Sequence, residues 1–235
     1  DALEFNAELR SIEVMNDLAF PFMDLMAHER CDLAWRMISR VVEHNGDYEG
    51  LALLRYYALY RACVRAKVAL LSQDHEKFQR YWTLVLNLAK HQARPRLTLV
   101  GGLSGSGKST AAQMVIETIG GVRIRSDIER KRLYAEALGK PELLYSAAAN
   151  EATYSRLSSL AQMLLSASVN VVVDATFLEQ DQVERFAGLM SSHDWITQAI
   201  ICESTVSSME DRIERRRLAG NDPSDATPAV LVRQI

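Results

Sequence analysis

Gly102-Leu103-Ser104-Gly105-Ser106-Gly107-Lys108-Ser109 fits the pattern G-x-x-x-x-G-K-[ST] at every fixed position. Just before it, Leu97-Thr98-Leu99-Val100 reads as a short β-strand, and just after it Thr110 to Ile119 reads as a helix. In that context each residue type has a physical task. The glycines let successive backbone N–H groups turn inward around phosphate oxygens. The helix that starts near Lys108 aims the positive end of its dipole at the same place. Lys108 is placed to reach the β and γ phosphates of ATP, and Ser109 to offer a hydroxyl to Mg²⁺. Residues Gly102, Leu103, Ser104, Gly105, Ser106, Gly107, Lys108, Ser109 and Thr110 are therefore the candidate nucleotide-binding set.

Outward from this loop, short β-rich runs alternate with longer helical patterns. The strands are expected at Leu97 to Val100, Val122 to Arg125, Val169 to Val173 and Ile196 to Cys202. Such βαβα order points to a parallel sheet covered by helices on both faces. Before Arg96 the character differs, with helical periodicity almost throughout and no strand signal. Stripes occur around Leu18 to Met26 and Leu33 to Val42, Gly46 and Asp47 mark a break, and Tyr81 to Lys90 reads as a last helix. Leu53, Tyr57, Tyr60, Val64, Val68 and Leu71 recur every three or four residues and read as the core-facing side of another helix. The expected fold class is α/β, a P-loop NTPase parallel sheet covered by helices and preceded by a small all-helical domain. The helical domain is assigned to 1–94 and the P-loop domain to 95–235.

Candidate chemistry lies at the carboxyl ends of the strands, where open α/β sheets bind ligands. Asp174 ends the third strand and can hold a metal directly or through its water. Ala175 follows it, where many mechanical ATPases carry a water-activating Glu. There is no N-K-x-D for guanine and no D-x-x-G switch. These features favour a kinase over a motor ATPase or regulatory GTPase. The second strand runs into Ser126-Asp127-Ile128-Glu129-Arg130. Asp127 there is placed to take a proton from an attacking hydroxyl, or to serve as N-cap of a helix over 128–136. Arg130, one turn on, could hold an anionic part of the acceptor. Arg212 and Arg216 share one helix face in Arg212-Ile213-Glu214-Arg215-Arg216-Arg217, ahead of the loop 220–226. They suit stabilisation of charge on a transferring phosphoryl group, as a lid would.

Composition sets the remaining bounds. The 235 residues are 48% hydrophobic and 24% charged with a net charge of −3, ordinary for a globular protein of one or two domains. The acidic balance argues against a nucleic-acid partner. Cys31, Cys63 and Cys202 lie far apart with no C-x-x-C pair, so they read as buried or inert thiols of a cytoplasmic protein. No apolar run approaches the ~20 residues needed to cross a bilayer, and no basic start with an apolar run suggests a leader. The first residue is Asp, and the last residues interrupt a helical pattern, so a fragment cut from a longer protein at both ends is expected.

These residues carry a resemblance. Residues 97–235 resemble the P-loop kinases related to polynucleotide 5′-kinase, gluconate kinase, chloramphenicol phosphotransferase and the zeta toxins. The matching elements are Gly102 to Ser109, the D-x-x-R of Asp127 and Arg130, Asp174-Ala175-Thr176, and the arginine-bearing stretch before Ser224-Asp225-Ala226. The resemblance implies that Asp127 is the base and Arg130 an acceptor contact. The first half, through Asp1-Ala2-Leu3-Glu4-Phe5-Asn6, Asp17-Leu18-Ala19-Phe20 and Tyr60 to Lys67, is similar to the end of an aminoglycoside-phosphotransferase-like domain. That likeness implies that Asp1 stands where such a fold keeps a magnesium-binding Asp. It puts the H-G-D loop and the nucleotide lobe before residue 1, so this half is expected to be inactive by itself. The combined expectation is an ATP- and Mg²⁺-dependent kinase acting on a hydroxyl of a small molecule, with no membrane partner. An ATP-driven regulatory switch and a nucleic-acid 5′-end kinase are the alternatives. Neither the acceptor nor the oligomeric state leaves a signature in the sequence.

Overall fold

The computed structural model describes residues 13–90, 94–137, 140–192, 194–219, 224, 225 and 227–235. The chain divides into two compact units, Asp1–Ala93 and Arg94–Ile235. Asp1 lies outside the described residues.

The first unit is a helical assembly of α1 (Val14–Ala27), α2 (Cys31–Asn45), α3 (Leu51–Leu71) and α4 (His75–Ala89). The helix ends follow local chemistry. Gly46 takes a left-handed conformation, φ 80°, that stops α2. Asp74 caps α4 by accepting from the Lys77 N–H at 3.0 Å. Helix α3 packs on both α1 and α4, and here the expected core stripe is corrected. The buried side of α3 is Leu51, Leu54, Ala58, Ala62, Ala66 and Ala69. Leu53, Tyr60, Val64, Val68 and Leu71 face outward, with Leu71 74% exposed. A helix wedged between two others favours small side chains that let backbones approach. The large apolar residues therefore take the free side, against the pattern that hydrophobicity alone suggests.

The second unit is a parallel sheet in the order β2-β3-β1-β4 among the described residues. Its strands are β1 (Arg96–Gly101), β2 (Val122–Arg125), β3 (Val171–Asp174) and β4 (Ile196–Ile201). Strand β1 is central, with Val100 paired to Asp174 of β3 and to Ile200 of β4. Around it lie α5 (Lys108–Ile119), α6 (Ser126–Leu133), α7 (Pro141–Leu144), α8 (Ala147–Ser166), α9 (Gln180–Ser192), α10 (Val206–Ala219) and α11 (Pro228–Gln234). Val100 and Val172 pack against Ala112 and Ile116 of α5. Helix α8 packs on β1, β2 and β3 as well, with Leu157, Leu160, Ala161 and Leu164 buried. Strand β3 starts at Val171, two residues later than expected, because the Val169 N–H is taken by Leu164 O at 2.9 Å. The Asn170 side chain accepts from the Arg96 N–H and donates to Ile119 and Gly120 carbonyls, tying the strand starts together. None of the described helices is long and apolar enough to cross a membrane. Cys31 and Cys63 are exposed rather than buried, and Cys202 is partly buried.

Candidate active site

The cradle begins where β1 ends. Gly102 takes φ +137°, and a Cβ there would fall 2.4 Å from the Cys202 carbonyl oxygen. Gly105 takes φ +81°, and its Cβ would meet Met209 O of α10 at 2.5 Å. Only glycine fits either position, because side chains are strained at these angles and backbone closes the space. The loop is pinned from three directions. Its Gly102 N–H donates to Thr176 O beyond β3, and the Cys202 N–H donates to Gly101 O. Leu103 packs against Met209, Ile213 and Leu231 of α10 and α11. Helix α5 begins at Lys108, so its dipole points into the loop. Lys108 Nζ lies 3.3 Å from Leu103 O, the Ser104 N–H donates to Gln234 Oε1 at 2.9 Å, and the Ser106 hydroxyl is buried without a hydrogen-bond partner among the described residues.

Next to the cradle lies a compact group of charges. The pairing of Arg125 with Asp174 sets both side chains on one face of neighbouring strands, and Arg125 Nε stands 3.7 Å from Asp174 Oδ2. Asp174 is 3% exposed, and its Oδ2, ion-paired with Arg125, receives no hydrogen bond among the described residues. A buried carboxylate oxygen that lacks a hydrogen-bond donor beside a phosphate cradle fits a hard divalent cation, so Ser109 and Asp174 are chemically suited to hold magnesium there. On the same face of β2, two residues before Arg125, Arg123 Nη1 donates to Ser109 O at 3.1 Å.

Asp127 is not the N-cap of its helix. Helix α6 starts at Ser126, two residues earlier than expected, with Arg125 in the cap position, and it ends at Leu133. Asp127 therefore sits inside the first turn. Burial pushes its carboxyl above the ordinary value, the Asp174 charge adds to that, and Lys108, Arg125 and a hydrogen bond from Ser224 pull the other way. Arg130, one turn later, is 6% exposed. Its Nη1 donates to Leu144 O at 3.0 Å and Asn150 Oδ1 at 2.7 Å, and its guanidinium lies 5.0 Å from the Tyr145 ring centre. The Tyr145 hydroxyl is pushed well up, first by burial and then by the Asp127 and Asp225 charges.

Of the two arginines expected to act as a lid, Arg212 reaches the cradle, donating from Nη1 to Gly105 O at 3.1 Å and Ser106 O at 3.3 Å. Arg216 Nε donates back to Arg212 O of its own helix. Within the loop 220–226, Ser224 and Asp225 are described and the remaining positions lie outside the described residues.

Several site residues escape motif reading. Arg125 carried a signal, since two arginines at period two in a strand otherwise of Val and Ile are at odds with burial unless they are paired. Asn150 and Tyr145 carried none, because their contacts with Arg130 depend on helices α6, α7 and α8 meeting.

The fold and the site define a P-loop α/β domain of kinase-like architecture. The chain belongs to the AAA_33 family, described as "AAA domain", which matches residues 97–235. It is similar to uncharacterized protein Rv2004c of Mycobacterium tuberculosis and uncharacterized protein Mb2027c of Mycobacterium bovis, 34% identical to each over 98% of this chain and 48% of theirs. The chain thus spans about half the length of these curated relatives. Two solved structures share 20% identity and a TM-score of 0.46. One is the Pnkp1/Rnl/Hen1 RNA repair complex, matched over 62% of this chain and 44% of that one. The other, a kinase described as putative from Chloroflexus aurantiacus, matches over 61% of this chain and 76% of that one.

Proposed function

We propose that this chain carries an ATP-dependent kinase that transfers the γ-phosphate to a hydroxyl of a small molecule. The observation that carries the reading is the position of Asp127. A partly buried carboxylate, its pKa raised by desolvation, stands just beyond the carboxyl end of β2 within electrostatic reach of Lys108 and Asp174. A base poised upward in this way is suited to accept a proton from an alcohol.

In this mechanism the backbone N–H groups of the cradle hold the β-phosphate, and Lys108 swings from Leu103 O to the γ-phosphate. Ser109 and Asp174 would hold Mg²⁺, which would supply neutralisation of charge on the phosphate oxygens. Arg125 keeps Asp174 oriented. Asp127 accepts the hydroxyl proton as the oxygen attacks, and Arg130, fixed by Asn150, orients the acceptor. Arg212 stands over the cradle, placed to turn from the Gly105 and Ser106 carbonyls onto the transferring group, with Arg216 behind it. Ala175 in place of an acidic residue after Asp174 supports transfer to an alcohol over activation of water.

The helical unit, 1–94, is proposed to be the C-terminal part of an aminoglycoside-phosphotransferase-like domain in a longer cytoplasmic protein. The assignment rests on the sequence resemblance of that half, and similarity to the relatives across both units supports only that the two occur together in a longer chain.

The test is ATP turnover with magnesium across sugars, aminoglycosides, nucleosides and 5′-hydroxyl oligonucleotides, for wild type and Asp127→Ala. A small-molecule acceptor should raise turnover, and Asp127→Ala should abolish that rise while ATP still binds. Basal hydrolysis that ignores every acceptor and survives Asp127→Ala would point to a regulatory switch instead.

A further inference from the structure

On the acceptor side, the chain's own residues stand where a substrate is expected. The Ser224 hydroxyl donates to the Asp127 carboxylate, the group assigned above as base. The next residue, Asp225, is bound at both carboxylate oxygens. Lys131 Nζ donates to Oδ1 at 2.6 Å, and the Tyr145 hydroxyl donates to Oδ2 at 3.2 Å. Behind Tyr145 lies the buried Arg130 guanidinium, whose Nε has no hydrogen-bond partner among the described residues. A hydroxyl on the base with an anion on a Lys–Tyr pair is the pattern that an acidic alcohol would present.

We propose that Ser224 and Asp225 occupy the acceptor site as an internal stand-in for substrate, and that the true acceptor is an alcohol bearing a carboxylate or phosphate bound by Lys131 and Tyr145. This inference rests on the kinase reading of the same site. The contact is weak enough to be displaced. The Asp225 and Lys131 side chains are 45% and 28% exposed, and an ion pair this open adds little stability. Ser224 accordingly takes the place of the reacting hydroxyl, and Asp225 that of the acceptor's anionic group. The neighbouring Arg130 adds positive charge to the same side of the site.

Inorganic phosphate tests the anion position without any phosphoryl transfer. It is titrated into the full chain saturated with ADP and magnesium. An internal anion competes at a high effective concentration, so Asp225→Asn should tighten phosphate binding by about tenfold or more. Adding Lys131→Met to that variant should remove the gain, with melting temperatures confirming that each variant is folded. Unchanged phosphate affinity in Asp225→Asn, or a gain that survives loss of Lys131, would overturn the proposal. So would phosphate found on Ser224 by mass spectrometry after incubation with ATP, since the segment would then be a substrate rather than a stand-in. If phosphate follows the expected pattern but no alcohol is ever phosphorylated, the kinase reading fails while the anion position stands.

Discussion

In the proposed kinase, the donor and acceptor sides of the site are built in opposite ways. The cradle is backbone from consecutive residues, Gly102 to Thr110, with glycines at positions where a Cβ would strike Cys202 or Met209. The acceptor side is made of side chains brought together from distant segments, as when Lys131 meets Asp225 across 94 positions. A site made of backbone must write its geometry into local sequence, because only certain residues tolerate the required angles. Side-chain sites need only the right groups at the right points in space. Donor chemistry is therefore readable as a motif, while acceptor chemistry is readable only once the helices are in place.

The comparison can be broken most severely at the donor side. Lys108→Ala should lower phosphoryl transfer by about a thousandfold with the melting temperature nearly unchanged; a small loss would detach the cradle from catalysis.

Asp127→Asn is the matching test across the site. Loss of a general base should cost about a hundredfold or more in turnover, yet the variant should be more thermostable at pH 7. The sign follows from the raised carboxyl pKa. The folded state holds that proton more tightly than the unfolded chain, so the fold loses stability as pH rises above the unfolded value, and the penalty is complete once the pH exceeds the folded value. The penalty vanishes below the unfolded value, about 4. Melting curves from pH 4 to 8 should show the advantage of Asn growing with pH, and an Asn variant less stable at pH 7 would contradict this account.

Asn150→Ala sharpens the contrast because Asn150 lies on α8, away from every motif. Releasing the Arg130 guanidinium should raise the acceptor KM by about tenfold while the KM for ATP stays put. An equal change in both constants would mean that the two sides are one rigid unit.

The smallest effects are expected in the helical unit. Ala62→Leu, on the fully buried row of α3, should cost about 1–3 kcal/mol by overpacking. Val64→Ser, 40% exposed on the same helix, should fall within about 0.5 kcal/mol. Denaturant unfolding of the two variants would reverse the corrected face assignment if their order were inverted.

Much of the P-loop unit was legible in advance. All four strands were expected close to where they lie, since short runs of Leu, Val and Ile bounded by turns leave few other structures open. Errors came where tertiary contact overrode local preference. The helix after β2 starts at Ser126 rather than Ile128, so the N-cap reading of Asp127 fails. In α3 the core side is the alanine row, because close helix approach favours small side chains over large ones there.

The residues by themselves determined the phosphate cradle, the parallel α/β class and the helical character of the first unit. Backbone conformation and hydrophobic periodicity are local properties, carried by neighbours a few positions apart. Only the tertiary structure decided that Arg125 faces Asp174, that Asn150 holds Arg130, and that Ser224 and Asp225 return to Asp127, Lys131 and Tyr145. Those contacts depend on strand order and helix packing. No short stretch of sequence contains both partners.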